Sequence, residues 1–187
     1  VCSIGAGAFC NTAFYNDDTN WSGEVLYINN HLIQAKETLS GEYSVREGVK
    51  TIAGHAFKGC TNLTKINFSN SIIEIGYAAF EGCKKIEQIV LPEQCKTIEQ
   101  GAFDGCSSLE TITINKRLIV IEANAFPGWS TKLSCVFYNG SAEEWNNINI
   151  GINNNIGNRV HYDGMGHQES DWETTKKSTC KEKGERI

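Results

Sequence analysis

The 187-residue chain contains two prolines, one methionine and four histidines. No apolar run approaches the roughly 20 residues that a bilayer-spanning helix needs. Acidic residues outnumber basic ones, 22 to 17, and the net charge is −5, which argues against the basic face of a nucleic-acid binder. The recognisable motifs of chemistry are missing as well. His31, His55, His161 and His167 are scattered, with no His-Glu-x-x-His, no Cys-x-x-Cys and no Gly-x-Ser-x-Gly. Gly5 and Gly7 do not lead a strand into a long helix, so a dinucleotide site is not supported. Asp17-Asp18 and Glu143-Glu144 are adjacent rather than convergent. Residues 16–20 carry the oxygens of a Ca²⁺ loop, against the ordinary reading of a solvated loop. No catalytic residue, metal site or cofactor is therefore expected. With 40 % hydrophobic residues the chain has enough apolar side chain for a core and is not disordered as a whole.

What the sequence does have is a repeat. Ala-Phe recurs at Ala56-Phe57, Ala79-Phe80, Ala102-Phe103 and Ala125-Phe126, at intervals of 23 residues without insertion or deletion. Ile52, Ile75, Ile98 and Ile121 stand four residues before each Ala, and Cys60, Cys83, Cys106 and then Trp129 stand three after each Phe. Leu63, Ile86 and Leu109 hold register, as do Ile66, Ile89 and Ile112, then Phe68, Leu91 and Ile114, then Ile72, Cys95 and Leu118. Such a period marks a solenoid, in which each coil buries its apolar face only against its neighbours. The Ile-x-[FLI] step alternates with period two and predicts a short strand, stacked into a parallel sheet at about 4.7–4.9 Å spacing. The stretch from the second Ile to Phe predicts a helical or 3₁₀ turn on the outer side.

The motif Ile-x-x-x-Ala-Phe-x-Gly-Cys-x-x-[LI] at residues 52–63, 75–86 and 98–109 resembles the BspA-like, or Treponema pallidum type, leucine-rich repeats of bacterial surface proteins and some parasitic protists. Residues 21–36 and 138–145 also look like recurrent features of that family, so the resemblance extends over residues 4 to 162. It implies an α/β-type leucine-rich repeat solenoid, a right-handed coil with a short parallel sheet, and an extracellular or cell-surface role. It carries no shared catalytic residues.

The expected organisation is a solenoid over residues 1–162 followed by a polar tail or linker at 163–187, whose mixed charges nearly balance. Residues 4–9 read as the end of another coil, so the array is expected to have begun before Val1, and the chain reads as a mature form or an excised fragment. Within the array, Asn29-Asn30 between two apolar runs predicts a β-hairpin at about 21–36, projecting from the coil or packed along it. Regular repeats follow at about 43–138. Ser141 and Glu144 form a capping box that opens a short helix in a C-terminal cap at 139–162, with Trp145 as part of the cap.

Cys60, Cys83 and Cys106 are expected to form an inward ladder of thiols whose S–H groups reach turn carbonyls. Adjacent rungs lie within disulfide distance, though stacked side chains point poorly for a bridge. Cys95 occupies an Ile/Leu position. Cys2, Cys10, Cys135 and Cys180 are unassigned, Cys135 is expected to face outward, and in a secreted chain one of these is open to bridging. Asn20, Asn62, Asn67 and Asn139 begin sequons that matter only in a eukaryotic secretory host.

The outward strand residues form the candidate partner-binding face. By register these are Glu42, Ser44 and Arg46; Lys65, Asn67 and Ser69; Gln88, Val90 and Pro92; Thr111, Thr113 and Asn115; and Cys135, Phe137 and Asn139. Arg46, Lys65, Asn67, Gln88, Thr111, Thr113, Asn115 and Phe137 are singled out as its contacts. Phe137 reads as an apolar anchor or as a residue covered by the cap. The expected function is a non-enzymatic, extracellular binding or adhesion module for a protein or glycan on a host or neighbouring cell. The alternative is a structural spacer that presents another domain. Nucleic acid and membrane insertion are not expected, and the array edge leaves a monomer or weak self-association open.

Overall fold

The structure, a computed structural model, describes residues 4, 5, 7–156 and 160–162; the expected tail at 163–187 and the cysteines Cys2 and Cys180 lie outside the described residues. Among the described residues no helix is long and apolar enough to cross a membrane.

A short helix, α1 (Ala13–Asn16), is capped by the Thr12 side chain, which accepts from the Tyr15 N–H. Three antiparallel strands follow: β1 (Trp21–Ser22), β2 (Val25–Ile28) and β3 (His31–Ala35). Asn29 turns β2 into β3 at φ 52°, a left-handed conformation that Asn tolerates better than most residues. The hairpin packs along the solenoid. Leu32 of β3 pairs with Ile52 and so stands where a preceding coil's isoleucine would stand.

Each later coil contributes two short strands. One set comprises β4 (Ser40–Ser44), β6 (Asn62–Asn67), β8 (Gln88–Val90), β10 (Thr111–Ile114), β12 (Cys135–Tyr138) and β14 (Val160–Tyr162). The other comprises β5 (Thr51–Ile52), β7 (Glu74–Ile75), β9 (Thr97–Ile98), β11 (Val120–Ile121) and β13 (Asn149–Ile150). The second set continues the hairpin into an eight-stranded sheet, β1-β2-β3-β5-β7-β9-β11-β13, while the first divides into β4-β6 and β14-β12-β10-β8. Ile52, Ile75, Ile98, Ile121 and Ile150 pair in one register, and Ile89, Ile112, Val136 and Val160 in the other. Parallel pairing of identical positions follows directly from the 23-residue period.

The core is a set of ladders running along the stack. Phe57, Phe80, Phe103 and Phe126 are fully buried. Their rings stack at centroid distances of 4.9, 5.3 and 4.9 Å and within 10° of parallel. Ala56, Ala79, Ala102 and Ala125 are also fully buried, leaving the volume beside each ring to the backbone of the adjacent coil. The thiols form the expected third ladder. Cys83 Sγ donates to Phe57 O and Cys106 Sγ to Phe80 O, each at 3.2 Å, and Cys60 Sγ to Lys36 O at 3.5 Å. All three are free, and burial pushes each thiol up, Cys60 to about 12.

The outer turn differs from the expected helical or 3₁₀ form. The N–H groups of Ala56, Lys58 and Cys60 bond within their own turn, but those of His55, Phe57 and Gly59 donate to Tyr77, Ala79 and Glu81 of the next coil. His55, Ala78, Gly101 and Asn124, one per coil, have φ between 47° and 67°. That left-handed step rotates alternate amides along the stack axis, where a 3₁₀ helix would keep them internal.

At the C-terminal end α2 (Ala142–Trp145) starts with both halves of the capping box: Ser141 accepts from the Glu144 N–H and Glu144 from the Ser141 N–H. Trp145 is buried and meets Tyr138 edge-on at 5.1 Å, closing the core. One position breaks the ladder. Trp129, aligned with the inward cysteines, is instead 68 % exposed. The last coil carries one extra residue here, and Ser130 takes up the contacts below: it donates to Asp104 Oδ1 at 2.6 Å and accepts from the Gly105 N–H.

Candidate functional site

The strand face is built from the outward residues of β4, β6, β8 and β10. Glu42 of β4 organises its N-terminal half. Its Oε1 accepts from Lys65 Nζ at 2.9 Å and from Asn67 Nδ2 at 2.6 Å, and Asn67 also donates to Ser44 Oγ at 3.0 Å. The Asn67 bond, then the Lys65 ammonium, hold the Glu42 carboxyl below the usual glutamate value. These side chains stand opposite one another because β4 and β6 are paired in parallel, Glu42 with Lys65 and Ser44 with Asn67. The ion pair is more than half exposed, so its attraction is screened and its use is to fix orientation.

Arg46 follows the end of β4. Its guanidinium lies 4.3 Å from the Tyr27 ring centroid and donates to Asn29 O, clipping the hairpin to the coil. The Tyr27 hydroxyl bonds the Tyr43 hydroxyl at 2.7 Å, and burial raises the Tyr43 phenol above its ordinary value. On β8 and β10, Gln88 and Thr111 pair in register, Gln88 exposed and Thr111 half-buried, beside Val90, which is 50 % exposed.

Three of the expected contacts leave the face. Asn115 is buried: Nδ2 donates to Pro92 O and Cys95 O, and Oδ1 accepts from the Arg117 N–H. Ser69, Pro92 and Asn115 all lie one or two residues beyond a strand end, where the chain has already turned inward. Thr113 is buried between Val90 and Phe137, its neighbours on both sides. Phe137 is 3 % exposed and stacks on the His161 ring at 5.3 Å, so it is a covered residue and not an anchor. Cys135, expected outward, is likewise buried. It is disulfide-bonded, while the described cysteines Cys10, Cys60, Cys83, Cys95 and Cys106 are free. Arg46, Lys65, Asn67, Gln88 and Thr111 remain accessible. Glu42, the residue that orients two of them, went unranked among the candidate contacts although its charge opposite Lys65 is legible once the strands are in register.

Among the described residues no group of three or more His, Cys, Asp or Glu could hold a metal ion. At the acidic loop, Asp17 Oδ1 caps its own turn by accepting from the Thr19 N–H and hydroxyl. His31 Nδ1 bonds Thr51 Oγ1 at 2.6 Å, a structural contact between hairpin and coil.

Comparison with known proteins bears on this arrangement. A leucine rich cell surface protein of Faecalibacterium prausnitzii is 25 % identical with a TM-score of 0.52, the match covering 68 % of this chain and 43 % of that one. The pneumococcal vaccine antigen PcpA is 16 % identical with a TM-score of 0.51, covering 76 % and 48 %, and shows the shared fold alone. The leucine rich repeat protein of T. pallidum is 22 % identical with a TM-score of 0.43, covering 59 % of each chain. The chain thus spans under half the length of the first two. No curated protein matches it. The family model for the BspA type leucine rich repeat region matches residues 27–156 in 6 copies, the same stretch that holds the stacked isoleucine and phenylalanine ladders. The chain belongs to the BspA-type leucine-rich repeat family.

Proposed function

We propose that this chain is a non-enzymatic binding or adhesion module of a cell-surface protein, and that it engages a protein or glycan partner through the strand face. The observation that supports this reading is the presentation of Lys65, Gln88 and Thr111 on successive parallel coils, the first two exposed and Thr111 half-buried, backed by fully buried ladders. Residues held on such a scaffold lose little freedom on binding, and solenoids use surfaces of this kind for partners. Surface location is supported by the F. prausnitzii relative, described as a cell surface protein. The half-exposed Val90 supplies an apolar contact inside a polar surround, in the manner of an interface centre.

The test is binding of the chain to immobilised host matrix proteins and to a glycan array, alongside a Lys65→Ala/Gln88→Ala/Thr111→Ala variant. The expected result is saturable binding that the variant loses by about tenfold or more, the effect of one or two interface contacts. Binding unchanged in the variant would exclude the strand face. No binding at all would favour a spacer, whose function would instead fail when coils are deleted from the full-length protein.

A further inference from the structure

The face opposite in role to the strands, formed by the outer turns, carries a groove that packing does not explain. It has a volume of about 230 Å³ and crosses three successive coils, with Tyr77 and Glu81 from one, Gln100 and Asp104 from the next, and Asn124 and Trp129 from the last. Ala78 and Gly101 also line it. Both occupy the left-handed turn position, where small side chains leave a trough between His55 on one side and Asn124 on the other.

Two aromatic rings border this groove. Tyr77 is 46 % and Trp129 68 % exposed, and neither position is aromatic in the other coils, where Gly54, Gln100 and Ala123 align with Tyr77 and cysteines align with Trp129. The repeat therefore does not require them. Exposed rings are costly to leave in water, and two at one groove are an unexplained apolar investment. Tyr77 is held in place by the His55 ring at 5.3 Å, and its backbone N–H by Glu99 Oε2 at 2.7 Å.

The polar lining is poised rather than spent. Asp104 Oδ1 accepts from Ser130, and Asn124 Oδ1 accepts from Asn153 Nδ2 at 3.0 Å, which turns the Asn124 Nδ2 donor away from that bond. Glu81 Oε2 takes Lys58 Nζ at 2.9 Å, with His55 at 3.7 Å. Among the described residues Glu81 Oε1, Asp104 Oδ2, Asn124 Nδ2 and the Gln100 side-chain amide make no hydrogen bond. The groove thus offers two aromatic rings, two amide donors and two carboxylate acceptors.

We propose that this groove binds a neutral saccharide. A pyranose ring has an apolar face of C–H bonds that stacks on an aromatic ring and a rim of hydroxyls, each both donor and acceptor. Mixed amide and carboxylate groups satisfy such a rim, whereas a cationic ligand would leave the amide donors unpaired. The Asp104 and Glu81 carboxylates repel an anion, and the Glu81 charge is already met by Lys58, which weakens the pull on a cation. The volume lies below the roughly 300–1,000 Å³ of a drug-sized pocket and suits one sugar ring of a longer chain that continues across the coils.

The experiment is a ¹⁵N-detected NMR titration of the full chain with D-glucose, D-galactose, D-mannose and N-acetyl-D-glucosamine, each alone. Choline chloride and sodium N-acetylneuraminate serve as the cationic and anionic probes. The expected result is saturable, millimolar binding of at least one neutral sugar that shifts the Trp129 indole N–H and the Gly101 amide. Trp129→Ala and Gln100→Ala, both at exposed side chains, should each weaken it about fivefold or more, while the strand-face triple variant leaves it unchanged. Shifts at these positions with choline or N-acetylneuraminate but no neutral sugar would overturn the proposal, as would sugar shifts that survive both substitutions or no shifts with any probe. None of these outcomes depends on whether the strand face binds a partner.

Discussion

The phenylalanine ladder makes a quantitative claim about how the array holds together. Phe80 contacts three rings: Phe57 and Phe103 stacked, and Phe68 edge-on at 5.8 Å. Phe126 has one described ring contact, with Phe103, although both residues are fully buried. Phe→Leu keeps most of the apolar volume, at up to about 1.5 kcal/mol, and removes ring contacts at about 0.5–1.5 kcal/mol each. Phe80→Leu should therefore cost about 1.5–6 kcal/mol and Phe126→Leu about 0.5–3 kcal/mol. Chemical denaturation followed by circular dichroism reads the difference as a shift in midpoint, with the slope m checked for constancy. A cycle of Phe80→Leu and Phe103→Leu should show coupling of about 0.5–1.5 kcal/mol. Phe57→Leu with Phe103→Leu, whose rings are separated by Phe80, should add to within about 0.5 kcal/mol. Equal losses at positions 80 and 126 together with no coupling between 80 and 103 would show that the rings only fill space, refuting the nearest-neighbour account.

Two further outcomes test the close approach of coils. A Cβ at Gly76 would lie 2.6 Å from Ile52 O and 2.8 Å from Gly54 N, both backbone atoms of the preceding coil, so Gly76→Ala should lower stability by about 1–3 kcal/mol in thermal melts, and an unchanged melt would show that the coils slide freely. Burial first, then the Glu99 charge, holds the Glu74 carboxyl above its ordinary 4.5, and its buried Oε1 has no hydrogen-bond partner. A carboxyl raised in the folded state contributes stability below its unfolded pKa and loses it as pH climbs through the folded value. Glu74→Gln should accordingly raise the Tm at pH 7, with the advantage shrinking as pH falls toward 4.5; an advantage that grows on acidification would reverse the assigned cause.

The ladders were legible because their physics is periodic. A residue that must stack on its own copy reappears every 23 positions, and the ring, thiol and isoleucine stacks all follow from that spacing. The hairpin and the capping box were legible for a different reason, since Asn29-Asn30 and Ser141-x-x-Glu144 are local devices that fix their own backbone. What escaped was set by neighbours or by strand length. The strands β5, β7, β9 and β11 are two residues each, too short for alternation to show. The left-handed turn falls on His55, Ala78 and Asn124 in three coils, where no glycine marks it. Extending period two beyond the strand ends placed Ser69, Pro92 and Asn115 on the wrong side. Phe137 has the outward register but is covered by His161, which arrives from β14. At Trp129, where the last coil carries one extra residue, the side chain points outward although the 23-residue spacing aligns it with the inward cysteines.

Along the core the coils are chemically alike, because each position must match the one above it. Outward positions face no such demand: Lys65, Gln88 and Thr111 occupy one equivalent site, and Tyr77 and Gln100 another. The backbone ladder fixes where each of these side chains points, so replacing one changes the chemistry of the surface without changing its shape. The strand face and the turn groove lie on different segments of the same coils, separated by the buried ladders. A substitution on one reaches the other only by moving a core that its stacked neighbours hold from both sides. A test of the proposed binding therefore belongs where the repeat is broken or varied, as at Trp129, which is exposed where the aligned cysteines are buried.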